Sequence, residues 1–404
     1  MIIFFEKKRV GLLAMIILTV LISSMFPVEV FAEEGLSMYS GSYALSDAGT
    51  GRVLTGKNET EPMANASTTK ILTCIVTLEN CSLDETVTIS ANAAAQPKVR
   101  LGMKEGETYP LKDMVYALML ESYNDCAVAI AEHVAGSEEA FAAMMNQKAL
   151  EIGCKDTYFI TPNGLDREKD GEFHHTTAED LCKIMAYCVW QSPMKETFLE
   201  ITQTANYSGN ANGKSYSLTN RNAFLHQMDG VLSGKTGFTS KAGYCYVAAL
   251  EREGERYCIA LLACGWPNNK TYKWKDAATL FNYGLENYEV KKFASEQIYE
   301  ELSVNGAVGE CAFENINRSM QVPLYGESRE REVLLKDKET IEKEIVLYAD
   351  AGLPIEKGQV LGECNLYLEE VLLESVPLVS KEEAKEWTFR NILITIYKKF
   401  LTIS

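Results

Sequence analysis

The sequence predicts an α/β (α+β) domain with an antiparallel sheet and a helical subdomain, then a small all-β domain and a C-terminal amphipathic helix. Three observations carry that expectation. Strand-like runs near residues 42–56 and 229–266 enclose a helical middle, so the terminal strands can share one sheet. From about Lys291 the texture changes to short alternating runs between turn residues. In the last stretch, from Glu386, polar residues recur at steps of three and four.

The chain has 404 residues, too long for one ordinary domain. It opens on a basic cluster (Lys7, Lys8, Arg9), an apolar run from Val10 to Met25, and "VFA" ending at Ala32. This is the pattern of a signal peptide over residues 1–32. The competing reading, an uncleaved membrane anchor, is disfavoured because Pro27 and Glu29 end the apolar run early. The chemistry is therefore expected outside the cytoplasm.

Residues 33–290 are expected to form the first domain. "SYALSD" and "GRVLTG" flank the turn "AGTG" as a hairpin, and helical patterns dominate from Ser67 to about Thr202. One runs over 111–121 and another over 125–134, stopped by Gly136. Strands return in "DGVLSGKTGF", and "GYCYVAAL" and "RYCIALLACGW" flank the polar turn "EREGE" as an antiparallel hairpin. A helix over roughly Thr271–Tyr288 follows, with Trp274, Ala277, Leu280, Phe281 and Leu285 on one face.

Residues 291–382, with runs such as "QIYEELSV" and "ECNLYLEEVLLESVPLV", read as a separate all-β domain. In the final segment, 383–404, Thr388, Asn391, Thr395, Lys398, Lys399 and Thr402 make a polar stripe on an otherwise aromatic and aliphatic helix. Such a helix suits the plane of a membrane surface. A helix docked on its own protein and a short spanning helix are the alternatives.

Composition excludes some classes. With 47% hydrophobic and 24% charged residues the chain is ordinary globular material. Its 39 basic against 56 acidic residues leave a net charge of −17, which argues against a nucleic-acid partner. Removing residues 1–32, with three basic and two acidic groups, leaves −18. The 11 cysteines include no C-x-x-C pair and no Cys/His metal pattern, so no metal or cofactor is expected. Most sit in apolar runs and read as buried free thiols. Cys245 and Cys258, on adjacent predicted strands, are the pair to examine for a disulfide.

The stretch "NASTTK", Asn65 to Lys70, permits three readings. As a glycan acceptor it is one of six N-x-S/T sequences, with Asn58, Asn80, Asn206, Asn269 and Asn317, so it discriminates nothing. As a helix start, Asn65 or Ser67 can accept a hydrogen bond from the first free amides. As a catalytic pair, Ser67 and Lys70 lie three apart on one helix face, ahead of a run apolar nearly all round. Burial would lower the lysine pKa toward that of a general base able to activate the hydroxyl. S-x-x-K alone is frequent by chance. Ser122-Tyr123-Asn124, between two helical runs, and Lys235-Thr236-Gly237, on a predicted strand, complete the ordered set S-x-x-K, S-x-N, K-T-G.

That set, together with "GLD" followed by "HHTTAEDL", "TNRNAFL" and "GKTGFTSKAGYCYVAAL", resembles the low-molecular-weight penicillin-binding proteins that act as serine D-alanyl-D-alanine carboxypeptidases. The resemblance covers residues 38–288, and the two later segments look like that family's β-rich domain and membrane anchor. It implies a serine β-lactamase/DD-peptidase-like fold, peptidoglycan stem peptides ending in D-Ala-D-Ala as substrate, and β-lactam antibiotics as inhibitors.

By the same resemblance Ser67 is the nucleophile, Lys70 its proton acceptor, and Ser122 the relay to the leaving amine. Asn124 contacts substrate or Lys70. Lys235 attracts the substrate carboxylate and helps hold Ser122. Thr236 binds that carboxylate, with Arg221 a weaker candidate. The backbone amides of Ser67 and Phe238 form the oxyanion hole. Tyr123 and Phe238 depart from the family's usual residues without removing a catalytic group. His174 and His175 read as structural, with Thr176 or Thr177 capping the next helix, and His133 and His226 as surface and loop residues. The alternatives are a serine β-lactamase, weakened because "CKDTYFITPNGLD" lacks the expected acidic residue, and a catalytically silent wall-binding protein.

Overall fold

The computed structural model describes residues 36–308, 319–348, 352–386 and 388–402. The expected signal peptide and Cys311 lie outside them.

Both predicted hairpins form. Strands β1 (Ser42–Asp47) and β2 (Val53–Lys57) pair around a turn that the Asp47 carboxylate closes, accepting from the Gly49 amide at 2.8 Å and the Thr50 hydroxyl at 2.7 Å. After the helical stretch come β7 (Val231–Thr239), β8 (Gly243–Arg252) and β9 (Glu255–Leu262). The β8–β9 turn uses Glu253 and Gly254, at φ 53° and 90°, the twist that a two-residue hairpin requires. The five strands form one antiparallel sheet in the order β2-β1-β9-β8-β7, so the two sequence ends of the domain do share a sheet.

Side-chain alternation then gives each face its own partner. Ala44, Val247, Ala249, Cys258, Ala260 and Leu262 turn to the helical core. On the other face the Tyr257 hydroxyl donates to the Gly284 carbonyl at 3.1 Å, and Tyr246 meets Trp274 edge-on. Those contacts come from the helix Tyr272–Asn287, whose Ala277, Leu280 and Phe281 are buried.

The helical layer is built around α1 (Lys70–Asn80), entered through a 3₁₀ turn at Ala66–Thr69. Every residue from Lys70 to Leu78 is buried, as expected of a run apolar nearly all round. Around it pack α2 (Leu111–Leu120), α3 (Asn124–Ala135) and α4 (Glu138–Ile152), with α5 (Ala178–Ala186) against the sheet and α6 (Lys195–Gln203) beside α2. Gly136 ends α3 in the left-handed region at φ 83°. Ser137 and Thr177 cap α4 and α5, accepting from Ala140 N and Asp180 N. Small antiparallel pairs join these helices: β3 (Thr86–Thr88) with β4 (Thr108–Pro110), and β5 (Asn206–Ala211) with β6 (Lys214–Thr219). The sequence reading did not include these. The ten described cysteines are free. The Cys245–Cys258 disulfide is excluded by register, since Cys258 lies opposite Ala249 on β8.

The Tyr272–Asn287 helix, α7, runs directly into β10 (Tyr288–Phe293), which pairs with β13 (Arg331–Lys336). A second antiparallel sheet has the order β11-β12-β16-β15-β14, formed by Gln297–Asn305, Ser319–Glu327, Val371–Ser380, Val360–Leu368 and Glu342–Leu347. It has its own apolar cluster, including Val322, Leu324, Leu361 and Leu378. Arg52, buried behind β2, joins the two parts. Its two terminal nitrogens meet the Glu339 carboxylate at 2.9 and 3.0 Å and the Leu334 carbonyl at 2.9 Å. A last helix, α8, spans Phe389–Thr402. No helix among the described residues is long and apolar enough to cross a membrane.

Candidate active site

Ser67 sits on the 3₁₀ turn at the head of α1, held there by two backbone features. Ala66 lies at φ 49°, in a region that disfavours a side chain, and strain of this kind collects at functional sites. Two glycines make room for the turn. A Cβ on Gly164, itself at φ 79°, would overlap the Ala66 carbonyl, and one on Gly237 would stand 2.9 Å from the Ser67 amide nitrogen. So β7 passes the Ser67 amide at contact distance, with Phe238 the next residue along.

The capping expectation for this turn fails. Neither Asn65 nor Ser67 accepts a helix amide: the Asn65 side chain instead donates to the hydroxyls of Thr68 at 3.0 Å and Thr69 at 2.9 Å. The reason is burial, because an Asn65 with no exposed surface serves the hydroxyls packed around it rather than the helix end.

Lys70 is fully buried, and its Nζ has three partners: Ser67 Oγ at 2.9 Å, Asn124 Oδ1 at 2.9 Å and the Asn163 carbonyl at 2.7 Å. The Asn124 amide is oriented by its other end, which donates to the Pro97 carbonyl at 3.3 Å. Burial, with the nearby charge of Lys235 as the next cause, holds Lys70 well below the ordinary lysine range. A neutral amine has two N–H bonds and one lone pair. The two oxygens of Asn124 and Asn163 can only accept, so they take both N–H bonds, and the lone pair is left facing the Ser67 hydroxyl.

Ser122 lies on the link between α2 and α3 at φ 65°, a second non-glycine residue in the left-handed region beside the cleft. Its Oγ accepts from Lys235 Nζ at 3.0 Å, and the same ammonium donates to the Thr236 carbonyl at 2.9 Å. Burial pushes Lys235 down to about 7. Thus Ser67, Lys70 and Asn124 form one hydrogen-bonded group and Ser122 with Lys235 a second, the five residues being spread over 169 positions of sequence, with Thr236 on the same strand as Lys235. Arg221 is not part of this network: its Nε donates to Glu121 at 2.7 Å and its side chain is largely exposed, which places it at the rim beside Ser122. Tyr123 packs against the helical core, and the exposed Phe238 ring lies 4.6 Å from that of Tyr244.

Two contributors were missed by sequence reasoning. Asn163 supplies a backbone carbonyl to Lys70, and its side chain braces the loop by accepting from Leu165 N and donating to Gln96. Asp125, fully buried, accepts from the amides of Leu101 and Gly102 and so fixes the loop next to Asn124. His174 is structural, as read. Its Nδ1 accepts from Ile160 N at 3.0 Å, its Nε2 meets the Thr69 hydroxyl at 2.9 Å, and burial pushes it down to about 3, so it stays neutral.

Comparisons with known proteins identify the family. A family model described as D-alanyl-D-alanine carboxypeptidase matches residues 29–263, and one described as penicillin-binding protein 5, C-terminal domain, matches residues 329–386. The D-alanyl-D-alanine carboxypeptidase DacF of Bacillus subtilis is 28% identical over 359 residues, covering 87% of each chain. Among solved structures, penicillin-binding protein D2 of Listeria monocytogenes, in its cefotaxime-bound form, is 26% identical with a TM-score of 0.54. That match covers 62% of this chain and 99% of the other. Penicillin-binding protein 5 of Haemophilus influenzae, 24% identical with a TM-score of 0.64, shares the fold over 86% of this chain and 98% of its own.

Proposed function

The chain belongs to the D-alanyl-D-alanine carboxypeptidase family, and from that premise we propose that Ser67 is the residue acylated when it removes the terminal D-alanine of a peptidoglycan stem peptide. It is a serine-type D-alanyl-D-alanine carboxypeptidase, working on the cell wall in the envelope. The observation that carries the assignment of Ser67 is the buried Lys70, whose two other partners leave its lone pair to the Ser67 hydroxyl.

In the proposed sequence Lys70 takes the Ser67 proton as Oγ bonds to the carbonyl carbon of the penultimate D-alanine. The resulting oxyanion is met by the amides of Ser67 and Phe238, a pair of donors each worth about 3 kcal/mol of barrier in comparable sites. Ser122 passes its proton to the leaving nitrogen and is reprotonated by the Lys70 ammonium, which is thereby neutral again, while the C–N bond breaks and free D-alanine departs. Water then cleaves the acyl ester, with Lys70 again accepting a proton. Lys235 and Thr236 receive the substrate carboxylate, and Arg221 can join them only by leaving Glu121. A β-lactam follows the same first step and stays attached. The groups around Lys70 favour this reading over a β-lactamase: its hydrogen-bond acceptor on the facing loop is the Asn163 carbonyl, not a carboxylate that would activate water.

Incubation of purified protein with a fluorescent penicillin is expected to give a stable covalent adduct that Ser67→Ala abolishes. Equal labelling of the Ala variant sinks the assignment. Rapid turnover of benzylpenicillin would move the chain to the β-lactamases.

We also propose export through residues 1–32, a catalytic domain over 33–290, a β-rich domain over 291–382, and anchoring of 383–404 on the outer face of the cytoplasmic membrane. Exposed Phe389, Leu393, Tyr397 and Phe400 recur at the helical period of α8, which supports a surface-lying helix. A chain ending at Lys385 is expected in the soluble fraction, and its retention on membranes refutes the anchor.

A further inference from the structure

The sequence shows no metal-binding spacing, yet folding brings three ligand types together far from the catalytic groups. Cys81 follows the last turn of α1, Glu85 lies four residues on, before β3, and His133 sits in the last turn of α3. One ligand atom from each lies within 4.8 Å of the other two. His133 Nε2 is 2.8 Å from one Glu85 oxygen, and the second Glu85 oxygen accepts from Ser82 N at 2.7 Å, which holds the carboxylate in place.

We propose that Cys81, Glu85 and His133 form a binding site for one zinc-class divalent cation, with water completing a tetrahedral shell. The plain alternative is a His–Glu ion pair with a thiol nearby. Four features favour a cation. Thiolate, imidazole and carboxylate are the ligands zinc uses, and three of them with one open position is a common zinc arrangement. A thiolate and a carboxylate together cancel the ion's double charge. Cys81 and His133 stand at the C-terminal ends of two helices, where the backbone dipoles favour positive charge. Finally, among the described residues Cys81 is the one cysteine that is not buried, and the Glu85 side chain is partly exposed, so an ion and its water have access.

The position gives the site a role. Helices α1 and α3 carry at their opposite ends Lys70 and Asn124, which hydrogen-bond to each other at 2.9 Å. At 1.5 Å of rise per residue the proposed ion is about 16 Å from Lys70, too far to act on substrate. It would tie together the distal ends of the two helices whose near ends form the active site. Its effect is on the stability of that helix pair, not on the chemical step.

The test uses the full chain, stripped with a chelator and titrated with Zn²⁺ against a chromophoric competitor, and separately with Co²⁺. The expected result is one equivalent of Zn²⁺ per chain, a thiolate-to-cobalt charge-transfer band, and a zinc-dependent rise in unfolding temperature. Cys81→Ser should lose the band, and Cys81→Ser and His133→Ala should each weaken Zn²⁺ binding by more than about a hundredfold, beyond what loss of a supporting group produces. Penicillin labelling at Ser67 should survive in both variants, which shows that they fold. Failure of the native chain to bind Zn²⁺ stoichiometrically overturns the proposal. So does binding that Cys81→Ser leaves unchanged, and so does a His133→Ala variant that loses stability equally with and without zinc, the mark of an ion pair only.

Discussion

The catalytic cleft and the C-terminal β domain treat charge in opposite ways. In the cleft two lysines are buried side by side, and the hydrogen-bond partners of their side-chain nitrogens are hydroxyls, an amide and backbone carbonyls. In the β domain charges lie at the surface in opposite-sign pairs, such as Lys292 with Glu332 and Lys343 with Glu296. An exposed pair exchanges one solvated state for another and contributes little. A buried lysine without a counter-ion is pushed toward its neutral form, and it is the neutral form that can take a proton from Ser67. Stability and reactivity are therefore set by different groups here, and substitutions in each region separate the two.

The largest effect is expected from Lys70→Met, which keeps the bulk of the side chain and removes the base. Acylation by benzylpenicillin should fall by about 10²- to 10⁴-fold, the usual contribution of a positioned base. A smaller loss would mean that another group deprotonates Ser67. Next comes the link between the regions. Arg52→Ala leaves Glu339 and the Leu334 carbonyl without their partner, so stability to urea should drop by about 3 kcal/mol while the acylation rate of the folded protein is unchanged. In contrast Lys292→Ala, at an exposed pair, should leave the urea midpoint where it was.

The smallest effect is a pH dependence. Lys235 has a folded-state pKa lowered to about 7, so in the free enzyme its charge is present below that pH and lost as pH rises through it. The KM for a peptide with a free C-terminal carboxylate should therefore rise above pH 7, approaching about tenfold per pH unit where that charge dominates binding. Lys235→Arg, which keeps its charge, should flatten this limb whatever it does to the overall rate. A limb that persists unchanged would move the titration to another group.

Much of the site was legible because its chemistry is carried by side chains at fixed short spacings. Ser67 and Lys70 lie one helical turn apart, and Lys235 and Thr236 are neighbours on one strand, so local geometry already places them. The hairpins were legible for the same reason, from alternation and the turn at Gly254. Asn163 was not, because what it gives Lys70 is a backbone carbonyl that any residue type could supply. The Asn65 cap was misjudged because the preference for capping describes exposed helix ends, and this end is enclosed. The grouping of Cys81, Glu85 and His133 was not legible because 48 positions separate Glu85 from His133, and only the packing of α1 on α3 closes that gap.

The enclosure of α1 also determines how the enzyme should fail on heating. Local opening begins in segments with few buried contacts, and amide hydrogens exchange with solvent most slowly where opening requires the whole domain to unfold. With every residue from Lys70 to Leu78 buried, the amides of α1 belong to that slowest class. The general base thus rides on backbone as enclosed as the central strands of the sheet. On warming, activity should disappear together with global unfolding, without an earlier stage in which the fold persists and the active site has melted.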